Sequence, residues 1–317
     1  MHVVIVGAGL SGLVSARALR TAGVGVELVD KGRSPGGRLA TRRIGDAVID
    51  HGAQFFTVRT PAFQHQVDDW MARDLVRIWA HGFRSADGNP RYVAVSGMNS
   101  LAKDLAVGLE VTCSTMAFAV RRTRGEPSPR PWTVVIDDGS TRLADAVVIT
   151  TPLPQAFALL ADAGVDLDES LMRTDYDRTI ALLATLDRPP AIPSPGGVQG
   201  PNTDVSFVAD NAAKGVSATP ALTLHASPAW SESHWDDDEL SRQLIELAAP
   251  WLGNAAVIEA QVKKWRFATP RSSWPDPCWV APSGDIVLCG DAFDGPRVEA
   301  AHNSGLAAAH ALVSEAC

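Results

Sequence analysis

The chain has 317 residues, more than one hydrophobic core usually spans, which predicts two domains or one large α/β domain carrying an insertion. Its apolar content of 46% and charged content of 20% place it with ordered globular proteins and away from disordered chains. With 28 Lys and Arg against 36 Asp and Glu the formal net charge is −8, which excludes a global positive field for nucleic acid or an anionic membrane surface and obliges any anionic substrate to find local cations.

Residues 3–6 read as a buried strand that runs straight into glycines; Met1-His2 supplies no basic segment, so the start does not read as a signal peptide. No run of ~18 apolar residues occurs, and the expectation is a soluble, cytoplasmic protein without nucleic-acid or membrane partners. Leu10 to Ala22 has helical spacing and Val26 to Val29 reads as a second strand, which completes one βαβ unit. Leu101 to Leu109 predicts a helix, and Trp132 to Ile136 and Ala146 to Thr150 predict strands around the turn Asp137-Asp138-Gly139. Arg124 to Pro131 is a polar, proline-rich loop.

From about 165 to 270 the texture changes, through the breaker segment Pro189 to Gly197, a strand at Ala221 to His225, and a helix predicted to start near Asp236. That helix would carry Asp237, Asp238 and Glu239 in its first turn and Leu240, Leu244 and Leu247 on one face; helix-dipole stabilisation accounts for the acids without a metal. An apolar strand follows at 286–289, then a last helix from Pro296 to about Ser314. Cys113, Cys278, Cys289 and Cys317 form no Cys-x-x-Cys pair, which argues against zinc or a redox dithiol and for free thiols, with Cys289 in a buried strand.

Gly7-Ala8-Gly9-Leu10-Ser11-Gly12 fits G-x-G-x-x-G between a strand and a helix. Gly7 permits the tight turn, Gly9 lets backbone approach a pyrophosphate at the helix N-terminus, and Gly12 allows close helix–strand packing. Asp30 closes the second strand, where a carboxylate accepts from ribose hydroxyls and disfavours a 2′-phosphate. A dinucleotide is predicted, FAD or NAD. Beyond it, Lys31-Gly-Arg-Ser-Pro-Gly36-Gly37-Arg38 offers glycines and a cation to the pyrophosphate. Near the C-terminus, Leu288-Cys-Gly290-Asp291 and Gly295-Pro-Arg297-Val298-Glu299 form a second strand-turn-helix signal.

The Gly36-Gly37-Arg38 block resembles the second fingerprint of the glutathione-reductase-like flavoproteins. Together with Asp50-His51-Gly52-Ala53-Gln54-Phe-Phe-Thr57, Leu224-His-Ala-Ser227, Lys264-Trp265-Arg266-Phe267 and the Gly290-Asp291 to Glu299 block, the chain is similar to the renalase-like flavoproteins. The resemblance implies a mixed α/β fold: a Rossmann-like FAD-binding domain (1–60, 93–164 and 271–317) and a substrate domain of the p-hydroxybenzoate hydroxylase type (61–92 and 165–270). It implies noncovalent FAD in contact with Gly7, Ala8, Gly9, Leu10, Ser11, Gly12, Asp30, Lys31, Gly36, Gly37, Arg38, Leu39, His51, Gly52, Ala53, Gln54, Met116, Gly290, Asp291, Arg297 and Val298. The activity implied is oxidation of 2- and 6-dihydro isomers of NAD(P)H to NAD(P)+, with dioxygen reduced to hydrogen peroxide.

Loss of hydride from such a ring restores aromaticity and needs no general base, so the lack of a Ser/His/Asp or Cys/His constellation is no obstacle. Gln54, Trp265, Arg266 and Arg297 are the candidate catalytic residues, with Arg266 and Arg297 as the cations that meet the substrate's charge. Gln54 also reads as a surface amide, Trp265 as core, and Arg266 as an ion-pair partner. His225 and His234 read as structural. The rivals are amine oxidation, which Arg297 disfavours by repelling an ammonium ion although Lys263 or Lys264 imitates the lysine of some amine oxidases, and a non-catalytic FAD-binding interaction module.

Overall fold

The computed structural model describes residues 1–83, 87–123 and 130–314; positions 124–129 of the expected polar loop, and Cys317, lie outside the described residues. Two compact units are present: Met1–Gly37 with Leu101–Asp175 and Pro270–Cys317, and Arg38–Ser100 with Tyr176–Thr269.

The first unit is built on a six-stranded sheet whose central strand, His2–Val6, is parallel to Gly25–Val29 on one side and to Ala146–Ile149 on the other. Val3, Val4 and Ile5 are fully buried, as expected of a parallel strand covered on both faces. Ile286–Leu288 extends the parallel array beside Ala146–Ile149. The helix Leu10–Thr21 packs on the last helix, Val298–Ser314, so closely that a Cβ on Gly305 would lie 2.4 Å from the Ser11 carbonyl oxygen.

Two sequence expectations change in detail. The turn 137–139 joins Trp132–Ile136 to Thr141–Ala144, with Thr141 opposite Val135, and not to Ala146–Ile149. The latter strand is buried at every position, which suits the interior of the parallel sheet rather than a hairpin. The last helix begins at Val298, two residues beyond Pro296.

The second unit holds a five-stranded sheet in the order Gly197–Gln199, Val205–Asp210, Ala221–Ala226, Tyr176–Leu186, Val257–Pro270. Its two faces alternate along Tyr176–Leu186. Ile180, Leu182, Ala184 and Leu186 pack with Leu240, Leu244 and Ala248, whereas Ala181 and Leu183 pack with Ile44, Ala47 and Ile49. The hairpin Thr41–Ile44/Ala47–Asp50 therefore buries its apolar side on this sheet, which is why 38–60, assigned to the cofactor domain from sequence, clusters here; 93–100 does likewise. The helix predicted from Asp236 begins at Leu240: Glu239 is its N-cap residue and Asp237 accepts from Gln243 Nε2 at 3.2 Å. The acids flank the helix N-terminus without occupying its first turn. No helix of the described residues is long and apolar enough to cross a membrane.

Candidate functional site

In the first unit the phosphate cradle is made by main chain. Gly7 has φ +109°, and a Cβ there would meet Thr150 Oγ1 at 2.5 Å. A Cβ on Gly12 would lie 2.0 Å from the Gly7 carbonyl oxygen, so strand and helix touch through bare backbone. Gly9 differs: nothing lies within 4 Å of its would-be Cβ. Gly9 is also the N-cap of Leu10–Thr21, and the helix start has no side-chain cap bond. An open glycine before an uncapped helix fits a pyrophosphate.

The Asp30 carboxylate is bound by main chain at both oxygens: Oδ2 accepts from the Ala8 N–H and Oδ1 from the Gly32 N–H, each at 2.6 Å. A carboxylate oxygen accepts more than one bond, so ribose hydroxyls remain within its capacity. The Gly36 N–H, expected at the pyrophosphate, instead donates to the Ala8 carbonyl at 2.9 Å, and Gly37 rests against Gly9. Both are at positive φ, +137° and +53°, and serve to dock one glycine loop on the other. Lys31 is exposed, and Met116 is 43% exposed with its carbonyl accepting from Asp137.

At the C-terminal motif, Gly290 donates its N–H to Ser304 Oγ at 2.9 Å, and Asp291 is half-buried beside it. Arg297 folds over its own turn. Its Nη2 donates to the Asp294 carbonyl at 2.6 Å and stands 3.9 Å from the Asp294 carboxylate, while its carbonyl accepts from Ala301 at the start of the helix begun by Val298. Asp294 thus draws on the charge that sequence assigned to a substrate.

In the second unit the centre is made by side chains. The carboxylate of Asp50 accepts from Thr41 Oγ1 at 2.6 Å, the Met98 N–H at 2.8 Å and Lys214 Nζ at 2.8 Å; Asp50 and Lys214 are both fully buried. The Asp50 N–H donates to Asn211 Oδ1, and its carbonyl accepts from Gln54 Nε2 and Thr223 Oγ1. Burial pulls the Lys214 ammonium below its ordinary pKa against the opposing attraction of Asp50. Gln54 is buried, not a surface amide, and Nε2 also reaches the Gly52 carbonyl at 3.1 Å. A Cβ on Gly52 would lie 2.0 Å from the Arg38 carbonyl oxygen, and Ala53 donates to that same oxygen at 2.9 Å. Leu39 is buried, and Arg38 turns its guanidinium toward the carbonyls of Phe267 and Ala268.

His51 follows Asp50. Its carbonyl accepts from Trp265 Nε1 at 2.9 Å and from His225 Nε2 at 3.1 Å, and its ring stacks on Trp265 with centroids 5.4 Å apart. Since a carbonyl only accepts, His225 carries its proton on Nε2. His51 is 8% exposed, and its Nδ1 has no hydrogen-bond partner among the described residues. Burial, helped by Lys263, His225 and Arg42, lowers its pKa to about 4; burial likewise lowers that of His225 to about 4. Both rings are neutral at pH 7.

Pleating separates residues that sequence placed together. Trp265 and Lys263 share the face toward His51, whereas Lys264 reaches the Trp235 carbonyl on the opposite, helix-covered face, and Arg266, exposed, shares its side. Asp50 and Lys214 were not singled out as a pair. Asp50 begins the stretch Asp50–Thr57 that resembles the renalase-like flavoproteins, but nothing near Lys214 signals that it meets a carboxylate 164 positions away.

A parallel sheet with a glycine-lined helix start and a carboxylate at the second strand defines a dinucleotide-binding protein of the Rossmann type. Residues 5–73 match the NAD(P)-binding Rossmann-like domain, and residues 71–313 match the family described as flavin containing amine oxidoreductase. The chain belongs to the flavin containing amine oxidoreductase family; it is a flavin-dependent oxidoreductase whose cofactor is FAD. It is 30% identical to renalase from Mus musculus over 174 residues, 51% of this chain and 50% of that protein. It is 46% identical to hydroxyneurosporene desaturase from Rubrivivax gelatinosus over 58 residues, 18% of this chain and 11% of the relative. The match thus spans half or less of these relatives' length. Among solved structures, putrescine oxidase bound to putrescine has a TM-score of 0.68 at 17% identity over 99% of both chains. An oxidoreductase from Methanosarcina mazei has a TM-score of 0.65 at 13% identity, over 97% of this chain and 99% of its own. These two establish the shared fold.

Proposed function

We propose that this protein is an oxidase of 2- and 6-dihydro isomers of NAD(P)H, with noncovalently held FAD and dioxygen as the final acceptor. Bound FAD supplies the hydride acceptor and passes the electrons to dioxygen, which yields NAD(P)+ and hydrogen peroxide. The observation that carries the reading is the environment of His51. Its ring is neutral and buried with one nitrogen unmatched; Lys263 and Arg42 stand beside it, and the neighbouring Asp50 carboxylate is paired with Lys214.

Such a setting repels a protonated amine and attracts a dinucleotide's phosphates. A neutral imidazole nitrogen suits a carboxamide, which both donates and accepts. The renalase relative supports the same direction. The segment Gly52, Ala53 and Gln54 beside His51 is held by the Asp50 network.

Amine oxidation is the second reading, favoured by family membership. The deciding experiment is anaerobic titration of the yellow protein with pure 2- and 6-dihydro-NAD, ordinary NADH and benzylamine. Rapid bleaching by the isomers alone is expected; comparable bleaching by benzylamine overturns the proposal.

A further inference from the structure

The sequence demands local cations for an anionic substrate; of the two it offers, Arg266 lies on the face of Lys264, and Arg297 donates to the Asp294 carbonyl of its own turn. Two other cations stand by His51. Lys263 Nζ lies 5.0 Å from the Trp265 ring, on the same strand face. Arg42, on the hairpin strand Thr41–Ile44, donates from Nε to Gln261 Oε1 at 3.2 Å. Gln261 passes the contact on, its Nε2 donating to Glu259 Oε1 at 3.0 Å. The acid of this group is therefore one residue removed from the guanidinium, and neither Lys263 nor Arg42 forms an ion pair among the described residues.

Both cations are positioned, one over an aromatic face and one by an amide, and neither is ion-paired among the described residues. The unmatched His51 Nδ1 next to them is an independent sign that the group awaits a polar ligand.

We infer that Lys263 and Arg42 form a phosphate-recognising edge beside His51 and Trp265, so that the site selects dihydronicotinamides that carry phosphate over the uncharged riboside. The inference rests on the proposed function and supplies its specificity determinant. Arg42 offers its Nη atoms as a fork to phosphate oxygens, and Lys263 a point charge.

The test is calorimetric titration of the oxidised holoenzyme with ordinary NADH and with 4-dihydronicotinamide riboside, two ligands with the same neutral ring. Wild type is expected to bind NADH the more tightly, and added salt to weaken NADH alone. Lys263→Gln and Arg42→Gln are each expected to weaken NADH about tenfold, the loss of one charge-assisted bond, and to leave the riboside unchanged. Lys263→Arg should restore most of the loss. Equal weakening of both ligands, wild-type NADH affinity in both variants, or no NADH binding by wild type overturns the edge. Bleaching by the dihydro isomers is read separately: selective binding without bleaching sinks the oxidase reading and leaves the edge standing, whereas bleaching with variant-insensitive binding sinks the edge alone.

Discussion

The two units solve the same problem, holding a chemical group still, with different materials. In the first, the cradle around Gly7, Gly9 and Gly12 is backbone against backbone, and its specificity is the absence of side chains. In the second, the segment 50–54 is held by side chains from distant parts of the chain, centred on the Asp50–Lys214 pair. A backbone cradle fails by crowding; a side-chain network fails by leaving charge unmatched.

The largest expected effect tests the network. Lys214→Met leaves Asp50 as a buried, unpaired carboxylate and should lower unfolding stability by about 3–5 kcal/mol in urea titration. Adding Asp50→Asn should return much of that loss. If the single variant is as stable as wild type, the second unit is not built around this pair.

Acid should loosen the same unit. His51 titrates at an ordinary value of 6.5 when unfolded and at about 4 when folded, so the unfolded chain binds the proton first. The stability it contributes is present above pH 6.5 and is lost as pH falls toward 4, roughly 3 kcal/mol for this ring. Melting temperature should fall steeply across that window, and His51→Gln should flatten the fall; an unchanged slope removes His51 from the cause.

Crowding the cradle comes next. Gly12→Ala sets a methyl carbon 2.0 Å from the Gly7 carbonyl oxygen, and separating strand from helix should cost about 1–3 kcal/mol. FAD content after purification should drop, while Gly9→Ala, with open space around it, should retain the fold and lose FAD only. Equal unfolding of both would erase the distinction between a structural and a ligand-facing glycine. The smallest effect concerns the strand pleat: Trp265→Phe loses one hydrogen bond to the His51 carbonyl, about 1 kcal/mol, and Arg266→Ala should stay within about 0.5 kcal/mol in thermal melts. The reverse order would place Arg266, not Trp265, against the core.

The first unit was legible because its constraints are local. Glycines, an uncapped helix and a terminal carboxylate lie within the first 30 residues, and each residue type reports a backbone demand. The second was legible only as blocks. Lys264-Trp265-Arg266 was recognised as a string, yet the alternation that sends Trp265 toward His51 and Arg266 away needs the identity of the neighbouring strand. Lys214 carried no signal because its partner is set by tertiary contact alone, and the bond from Arg297 to the Asp294 carbonyl belongs to a turn whose closure sequence did not reveal.

The 164 positions between Asp50 and Lys214 also set a timetable. On a ribosome that adds about 5–20 residues per second, Asp50 emerges roughly 8–33 s before its counter-ion exists. The hairpin that carries it cannot seat on Tyr176–Leu186 until that strand has been made, nor can His51 meet Trp265 until later still. The apolar side of residues 44–49 therefore spends synthesis exposed, which makes this stretch the one that a nascent-chain chaperone should protect.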